Sequence, residues 1–291
     1  MNKTKIVIVD DSPFQVSLLS DLLSENGFEV LGSAGSLDEV KEVIKSLKPD
    51  LVTMDMTMPG TDGLECTRAI HDIDSNIKVI IVSSMMDDEI VRKARKNHVS
   101  GYIQKPVDSE EITLLINRIM ANEELFQELE SYYSKIFKES LLDIFNKLTK
   151  TIPEFTNEST NNIAQSSRGV SIVLGIIGKY SGRLILDMSY ETVSKLSSIL
   201  LKREPKDNEE MLNVMGEIAN MYAGNASSMI NKKNKLFGLR VAPPTIFHGK
   251  SINISKGELE TSFSAIVNSA FGEITMSIGF NRGDEEWISN I

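Results

Sequence analysis

The sequence predicts two units: a parallel five-stranded sheet covered by helices on both faces, then an α+β unit built on an antiparallel sheet. Three observations carry this. Short apolar runs rich in β-branched residues alternate with amphipathic stretches of helical length from about residue 3 to 121. Residues 109–150 contain neither glycine nor proline, so helical character runs through the junction. Beyond it the strand-like runs gather apart from the helices, which is the α+β pattern.

Strand-like runs cover residues 6–9, 28–31, 51–54, 79–82 and 101–103, and helical stretches cover about 14–25, 37–47, 64–73, 87–97 and 109–120. Right-handed crossovers place the C-terminal ends of parallel strands on one rim, where ligand chemistry collects. Asp10 and Asp11 follow the first strand, Asp55 the third, Ser83 the fourth and Lys105 the fifth. Three carboxylates on one rim repel unless a hard cation lies among them, and an oxygen-only set suits Mg²⁺. Lysine and a hydroxyl beside them can hold phosphoryl oxygens, and a carboxylate in such a place can attack phosphorus.

Composition narrows the classes. With 291 residues and a net charge of −10, the chain lacks the basic surface that non-specific nucleic-acid or anionic-membrane binding needs. Cys66 is the single cysteine, which excludes an intrachain disulfide and a cysteine-rich zinc site. His71, His98 and His248 lack metal-ligand spacing. No run approaches the ~18 apolar residues of a membrane span, so a cytoplasmic location is expected.

The segments Val7-Ile8-Val9-Asp10-Asp11-Ser12, Met54-Asp55-Met56-Thr57-Met58-Pro59-Gly60, Ser83-Ser84 and Lys105-Pro106 closely resemble a CheY-like response-regulator receiver domain. The resemblance implies a flavodoxin-like (βα)5 fold with strand order 2-1-3-4-5. It implies that a histidine kinase of the CheA type phosphorylates Asp55. By the same resemblance, Asp11, Asp55 and the Thr57 backbone carbonyl bind Mg²⁺ with Asp10 assisting, and Ser83 and Lys105 contact the phosphoryl group. Tyr102 would be the aromatic switch residue, and the Lys105–Pro106 bond would be cis.

The expected domain division is a receiver over 1–121, a helical linker over 122–133 and a second domain over 134–291. In the linker region Leu125, Leu129, Tyr132 and Ile136 recur at helical spacing. Such a seam suits either a stiff spacer or pairing between protomers.

In the second half, helices are expected over about 134–150, 191–201 and 209–232, and strand-like runs over 170–177, 182–188, 251–254, 260–267 and 273–280. Residues 176–186 parallel 266–276 without a gap, each copy a hairpin with a glycine entering the return strand. An acidic-x-x-Asn pattern precedes each copy on a helix: Asp143 with Asn146, and Glu217 with Asn220. Gly178-Lys179 lacks the spacing of a phosphate loop and reads as a turn. On the 209–232 helix, Met211, Met215, Ile218, Tyr222 and Met229 form a core stripe, leaving Glu217, Asn220 and Gly224 on the opposite face. A carboxamide there can orient a water, and a glutamate one turn away can pair with a lysine on a docking partner.

The run Gly216-Glu217-Ile218-Ala219-Asn220-Met221-Tyr222-Ala223-Gly224-Asn225-Ala226, with the duplicated hairpins, resembles the CheC/CheX/FliY phosphatase family. It implies that Glu217 docks on a CheY-type receiver while Asn220 orients the water that hydrolyses its aspartyl phosphate. The Asp143 copy is expected to be degenerate. A single active helix resembles the CheX branch, and this implies a homodimer. Two function classes stand open: a response regulator with a phosphatase output, acting in trans or on its own receiver in chemotaxis, and a phosphorylation-switched binding module without turnover.

Overall fold

The computed structural model describes residues 3–84, 88–160, 165–249, 253–254 and 259–282. The described residues divide into two compact units, 3–124 and 125–282.

In the first unit five parallel strands, β1 (Lys5–Val9), β2 (Glu29–Ala34), β3 (Leu51–Asp55), β4 (Lys78–Ser83) and β5 (Gly101–Gln104), stand in the order 2-1-3-4-5. Alternation along the strands sends their apolar residues to opposite faces. Ile6, Ile8, Leu51, Ile80 and Val82 pack under α1 (Pro13–Glu25) and the first turns of α5 (Ser109–Thr149). Val7, Val9, Val52, Met54 and Val79 pack under α2 (Leu37–Leu47) and α3 (Gly63–Ile73). The fourth helix, α4, spans Asp88–Lys96. Ser12 caps α1, its hydroxyl accepting from the Gln15 amide, and Pro13 supplies the fixed φ suited to a first helical turn.

Helix α5 is one 41-residue element, begun by the Asp108 carboxylate, which accepts from the amides of Glu110 and Glu111. The stretch expected as a linker is helical, yet Phe126, Leu129 and Tyr133 lie in the core of the second unit with Ile136 and Phe137. Leu125 and Tyr132 of the expected seam pack only partly against that core.

The second unit holds a fully antiparallel sheet of β6 (Glu154–Ser159), β7 (Val170–Ile177), β8 (Ser181–Met188), β9 (Arg240–Val241), β10 (Thr245–His248), β11 (Thr261–Ser269) and β12 (Gly272–Asn281). The order is β9-β7-β8-β12-β11-β6, with β10 also on β7. Helices α5, α6 (Tyr190–Leu201) and α7 (Asn208–Lys233) contribute to a core on one sheet face. β6 falls in a stretch expected as loop; it is an edge strand with a mostly exposed sequence, Glu-Phe-Thr-Asn-Glu-Ser, so no apolar alternation marks it. Of the run expected at 251–254, Asn253–Ile254 pairs with Gln165–Ser166, and 251–252 lie outside the described residues.

The two hairpins meet at the sheet centre, where Leu186 pairs with Met276. Their return strands match as the sequence parallel requires, with Gly182 opposite Ile176 and Gly272 opposite Ser269 at the turns. Five residues separate the first pair and two the second, so the outgoing strands are offset by three. Ile172 and Leu174 therefore correspond to Ala265 and Val267 in the core, and Ile176 corresponds to Ser269 rather than to Ile266. An ungapped parallel cannot show this, because a three-residue shift reverses the face of every strand residue. Among the described residues no helix is long and apolar enough to cross a membrane.

Candidate functional site

The rim of the first unit forms where β1, β3, β4 and β5 end together. The Lys105 ammonium donates to Asp10 Oδ2 at 2.8 Å and to Asp55 Oδ1 at 2.7 Å. Both carboxylates are sheltered, with side chains 8% and 12% exposed. Burial alone would lower the Lys105 pKa; the hydrogen bonds and charges of the two aspartates more than offset that and raise it. The backbone finishes the arrangement: Ser12 N–H donates to Asp10 Oδ1 and Thr57 N–H to Asp55 Oδ2, each at 2.9 Å. Lys105 N–H donates to the Ser83 carbonyl at 2.8 Å, tying the ends of β4 and β5. The Lys105–Pro106 bond is cis.

Ser83 is buried at the end of β4, Tyr102 is buried on β5, and Asp11 is exposed beside Asp10. The structure thus brings Asp10, Asp55 and Lys105 into direct contact, with Asp11 outside that contact. Lys105 is what joins the two carboxylates, and among the described residues no three acidic, His or Cys side chains are gathered closely enough to grip a metal as they stand. Met85 and Met86, adjacent in sequence to this rim, lie outside the described residues.

One residue here escaped sequence reasoning. A Cβ on Gly63 would lie 2.6 Å from the Asp55 carbonyl oxygen and 3.1 Å from Met56 Cα. The loop after Asp55 closes because residue 63 has no side chain, and Gly63 N–H donates to the Met56 carbonyl at 3.1 Å. The sequence marks residues 56–63 as a Pro/Gly loop that keeps Asp55 at an exposed strand end, but only the fold shows what Gly63 faces.

The second site lies on α7. Asp207 caps this helix by accepting from Glu210 N–H at 2.8 Å, and Lys232 and Lys233 stand in its last turn, where the dipole favours cations. Met211, Met215, Ala219, Tyr222, Ala226 and Ile230 are buried, whereas Ile218 and Met229 of the expected stripe are partly buried. The rotation of α7 is fixed against α5. Ser140 Oγ donates to the Tyr222 carbonyl at 3.1 Å, Asn225 Nδ2 donates to Ser140 Oγ at 3.2 Å, and the Phe137 and Tyr222 rings meet edge-on. Tyr222 also points its hydroxyl at Met276 Sδ, 2.8 Å away at the sheet centre.

With Tyr222 locked inward, Glu217 and Asn220 are turned out. Both are exposed, and neither side chain has a partner among the described residues. A Cβ on Gly224 would meet nothing within 4 Å, so the helix surface beside them is bare and open. Gly216 differs: its Cβ would press on Ile246 at 3.3 Å and Pro244 at 3.5 Å, which makes it a packing residue. On α5 the related pair is arranged otherwise. Asp143 accepts from Lys147 at 2.6 Å, one turn on, while Asn146 is exposed.

Residues 6–117 match the family model of the response regulator receiver domain, and residues 170–268 match that of the chemotaxis phosphatase CheX. The chemotaxis protein CheY of Thermotoga maritima is 36% identical over 115 residues, covering 40% of this chain and 96% of that protein. Among solved structures, a CheX from Desulfovibrio desulfuricans is similar at 18% identity and TM-score 0.47, covering 51% of this chain and 99% of that one. A chain of the CheX–CheY–BeF3–Mg²⁺ complex from Borrelia burgdorferi covers 40% of this chain and 89% of its own length at 28% identity and TM-score 0.38. The chain belongs to the CheY-like response-regulator family, and its receiver domain is followed by a CheX-like domain.

Proposed function

We propose that a histidine kinase phosphorylates Asp55 and that α7 hydrolyses the aspartyl phosphate of a CheY-type receiver. The observation that carries this is the outward pair Glu217 and Asn220, unpartnered among the described residues, beside the bare Gly224 surface and within the stretch that matches CheX.

In the first reaction an Asp55 carboxylate oxygen attacks the phosphorus of a phosphohistidine. The O–P bond forms as the P–N bond breaks, and the imidazole nitrogen keeps the electron pair. Lys105 already lies against Asp55 and supplies positive charge where the phosphoryl oxygens arrive, with Ser83 as a hydroxyl donor. Tyr102 is assigned as the switch residue. Asp10, Asp11, Asp55 and the Thr57 carbonyl offer oxygen alone, and this donor chemistry fits Mg²⁺. When bound there, the ion neutralises charge on the phosphoryl oxygens.

In the second reaction a water oxygen attacks phosphorus in line with the aspartyl oxygen. That P–O bond breaks, the carboxylate is restored, and inorganic phosphate leaves with the water's protons shared with solvent. The Asn220 carboxamide accepts from and donates to that water and so orients it, while Glu217 pairs with the receiver's lysine and sets the register. Gly224 lets the receiver backbone come close.

The test follows the decay of a phosphorylated CheY-type receiver with catalytic amounts of the Asp55→Asn chain. Multiple turnovers are expected, and Asn220→Ala in the same background should slow them by about 100-fold or more, since misplaced reactants lose of that order. Docking without turnover would instead identify a binding module. If the Asp55→Asn chain gives no turnover, faster decay of phospho-Asp55 in the parent chain than in its Asn220→Ala variant would identify self-directed hydrolysis.

A further inference from the structure

The outward stripe of α7 holds more than the two polar residues. At about 100° per residue, Asn213, Glu217, Asn220, Met221, Gly224 and Ser228 fall within an arc of roughly 100°. Five of the six are polar, acidic or bare. Met221 is the exception: it is 55% exposed, the one large apolar side chain left in water among the described residues of α7. The fold does not need it, because Met215, Ala219, Tyr222 and Ala223 around it already fill the core. It follows Asn220 directly and stands one turn from both Glu217 and Gly224, so any surface that reaches those residues also covers Met221.

We propose that Met221 is a positioning residue, the apolar anchor by which the α7 face seats a phosphorylated receiver domain in trans. This rests on the phosphatase reading of the same helix. The first unit shows what such a partner offers at its phosphorylation rim. Beside the sheltered carboxylates Asp10 and Asp55 it presents Lys105, and α1 opens with Pro13 and Phe14, the latter 72% exposed. A receiver of that kind offers both a lysine at the rim and an exposed apolar side chain at the start of α1, as the α7 stripe offers both Glu217 and Met221. Methionine suits the task, since its flexible thioether adapts to the surface it meets.

The test measures turnover of the phosphorylated CheY-type receiver by the Asp55→Asn chain, with Met221→Ala and Met221→Leu added. It also measures binding of a receiver carrying beryllium fluoride, an aspartyl-phosphate mimic, to the Asp55→Asn/Asn220→Ala chain with and without Met221→Ala. Met221→Ala is expected to raise KM about tenfold with kcat within about twofold, to weaken binding by a similar factor, and to leave the thermal midpoint unchanged. Tenfold corresponds to about 1.4 kcal/mol. Met221→Leu should restore most of the KM. Unchanged KM and affinity would overturn the proposal, as would a fall in kcat at constant KM. So would a lowered thermal midpoint or an altered oligomeric state for Met221→Ala, either of which marks a structural role. Absence of turnover by the Asp55→Asn chain overturns the phosphatase reading itself, and full turnover by the Asn220→Ala chain overturns its assignment to Asn220, whereas turnover that depends on Asn220 with KM indifferent to Met221 overturns the anchor alone.

Discussion

Lys78, at the start of β4, and Glu123, on α5, meet at 2.7 Å with both side chains less than a tenth exposed. The pair fastens the middle of a long helix to the sheet of the first unit. Breaking a buried pair leaves one charge in a poor solvent, which costs about 3–5 kcal/mol, whereas apolar replacement of both partners is often close to neutral. Glu123→Gln should therefore lower the denaturant midpoint of the first unit markedly, and Lys78→Met with Glu123→Leu should recover much of the loss. Equilibrium unfolding of the three chains checks this.

Gly63→Ala tests the turn behind Asp55. The new methyl would press on backbone atoms of residues 55 and 56, which cannot rotate away as a side-chain tip would. Overpacking of this kind costs about 1–3 kcal/mol. The variant should be less stable by that order and should incorporate phosphoryl groups from a small acyl phosphate more slowly than the parent. Both are read on the same preparation, by thermal unfolding and by phosphate incorporation.

Gly224→Ala separates stability from function. The methyl would meet nothing within 4 Å, and alanine favours a helix interior by about 0.5–1 kcal/mol over glycine. The second unit should gain stability of that order. Turnover of a phosphorylated receiver should fall, because in the proposed docking the partner's backbone approaches this bare surface. A variant both more stable and equally fast would argue against that approach.

The first unit should also weaken in mild acid. Burial, followed by the nearby charges of His98 and Lys78, lowers the pKa of His71. The unfolded chain takes up this proton near its ordinary value of about 6.5, before the folded protein does. The contribution is thus present above about pH 6.5 and is lost as pH falls through the depressed folded value. His71→Gln should flatten the decline of the first unit's thermal midpoint between pH 7 and 5.

Parts of this structure were legible in the sequence because topology leaves little choice. Once β-α units alternate, Asp10, Asp55, Ser83 and Lys105 must stand on one rim, and the structure adds which of them touch. The outward turn of Glu217 and Asn220 followed from helical period alone. Other features needed the packed partner. An apolar seam on an unbroken helix does not say what buries it, so Phe126 and Tyr133 read as linker although they fill the second core. The polar edge strand Glu154–Ser159 carries no period to read. The three-residue slip between the hairpins is visible only in the pairing of Ile176 with Gly182 and Ser269 with Gly272.

The hairpins share one plan about the Leu186–Met276 pair, but the helices that accompany them have divided the labour. α5 extends back to Ser109, and its Ile112, Ile116 and Ile119 belong to the first core while Phe126 and Leu129 belong to the second. A change on that helix answers to two cores at once. α7 answers to one, and its outward stripe answers to none. Residues can be exchanged there, one by one, without renegotiating the architecture beneath them.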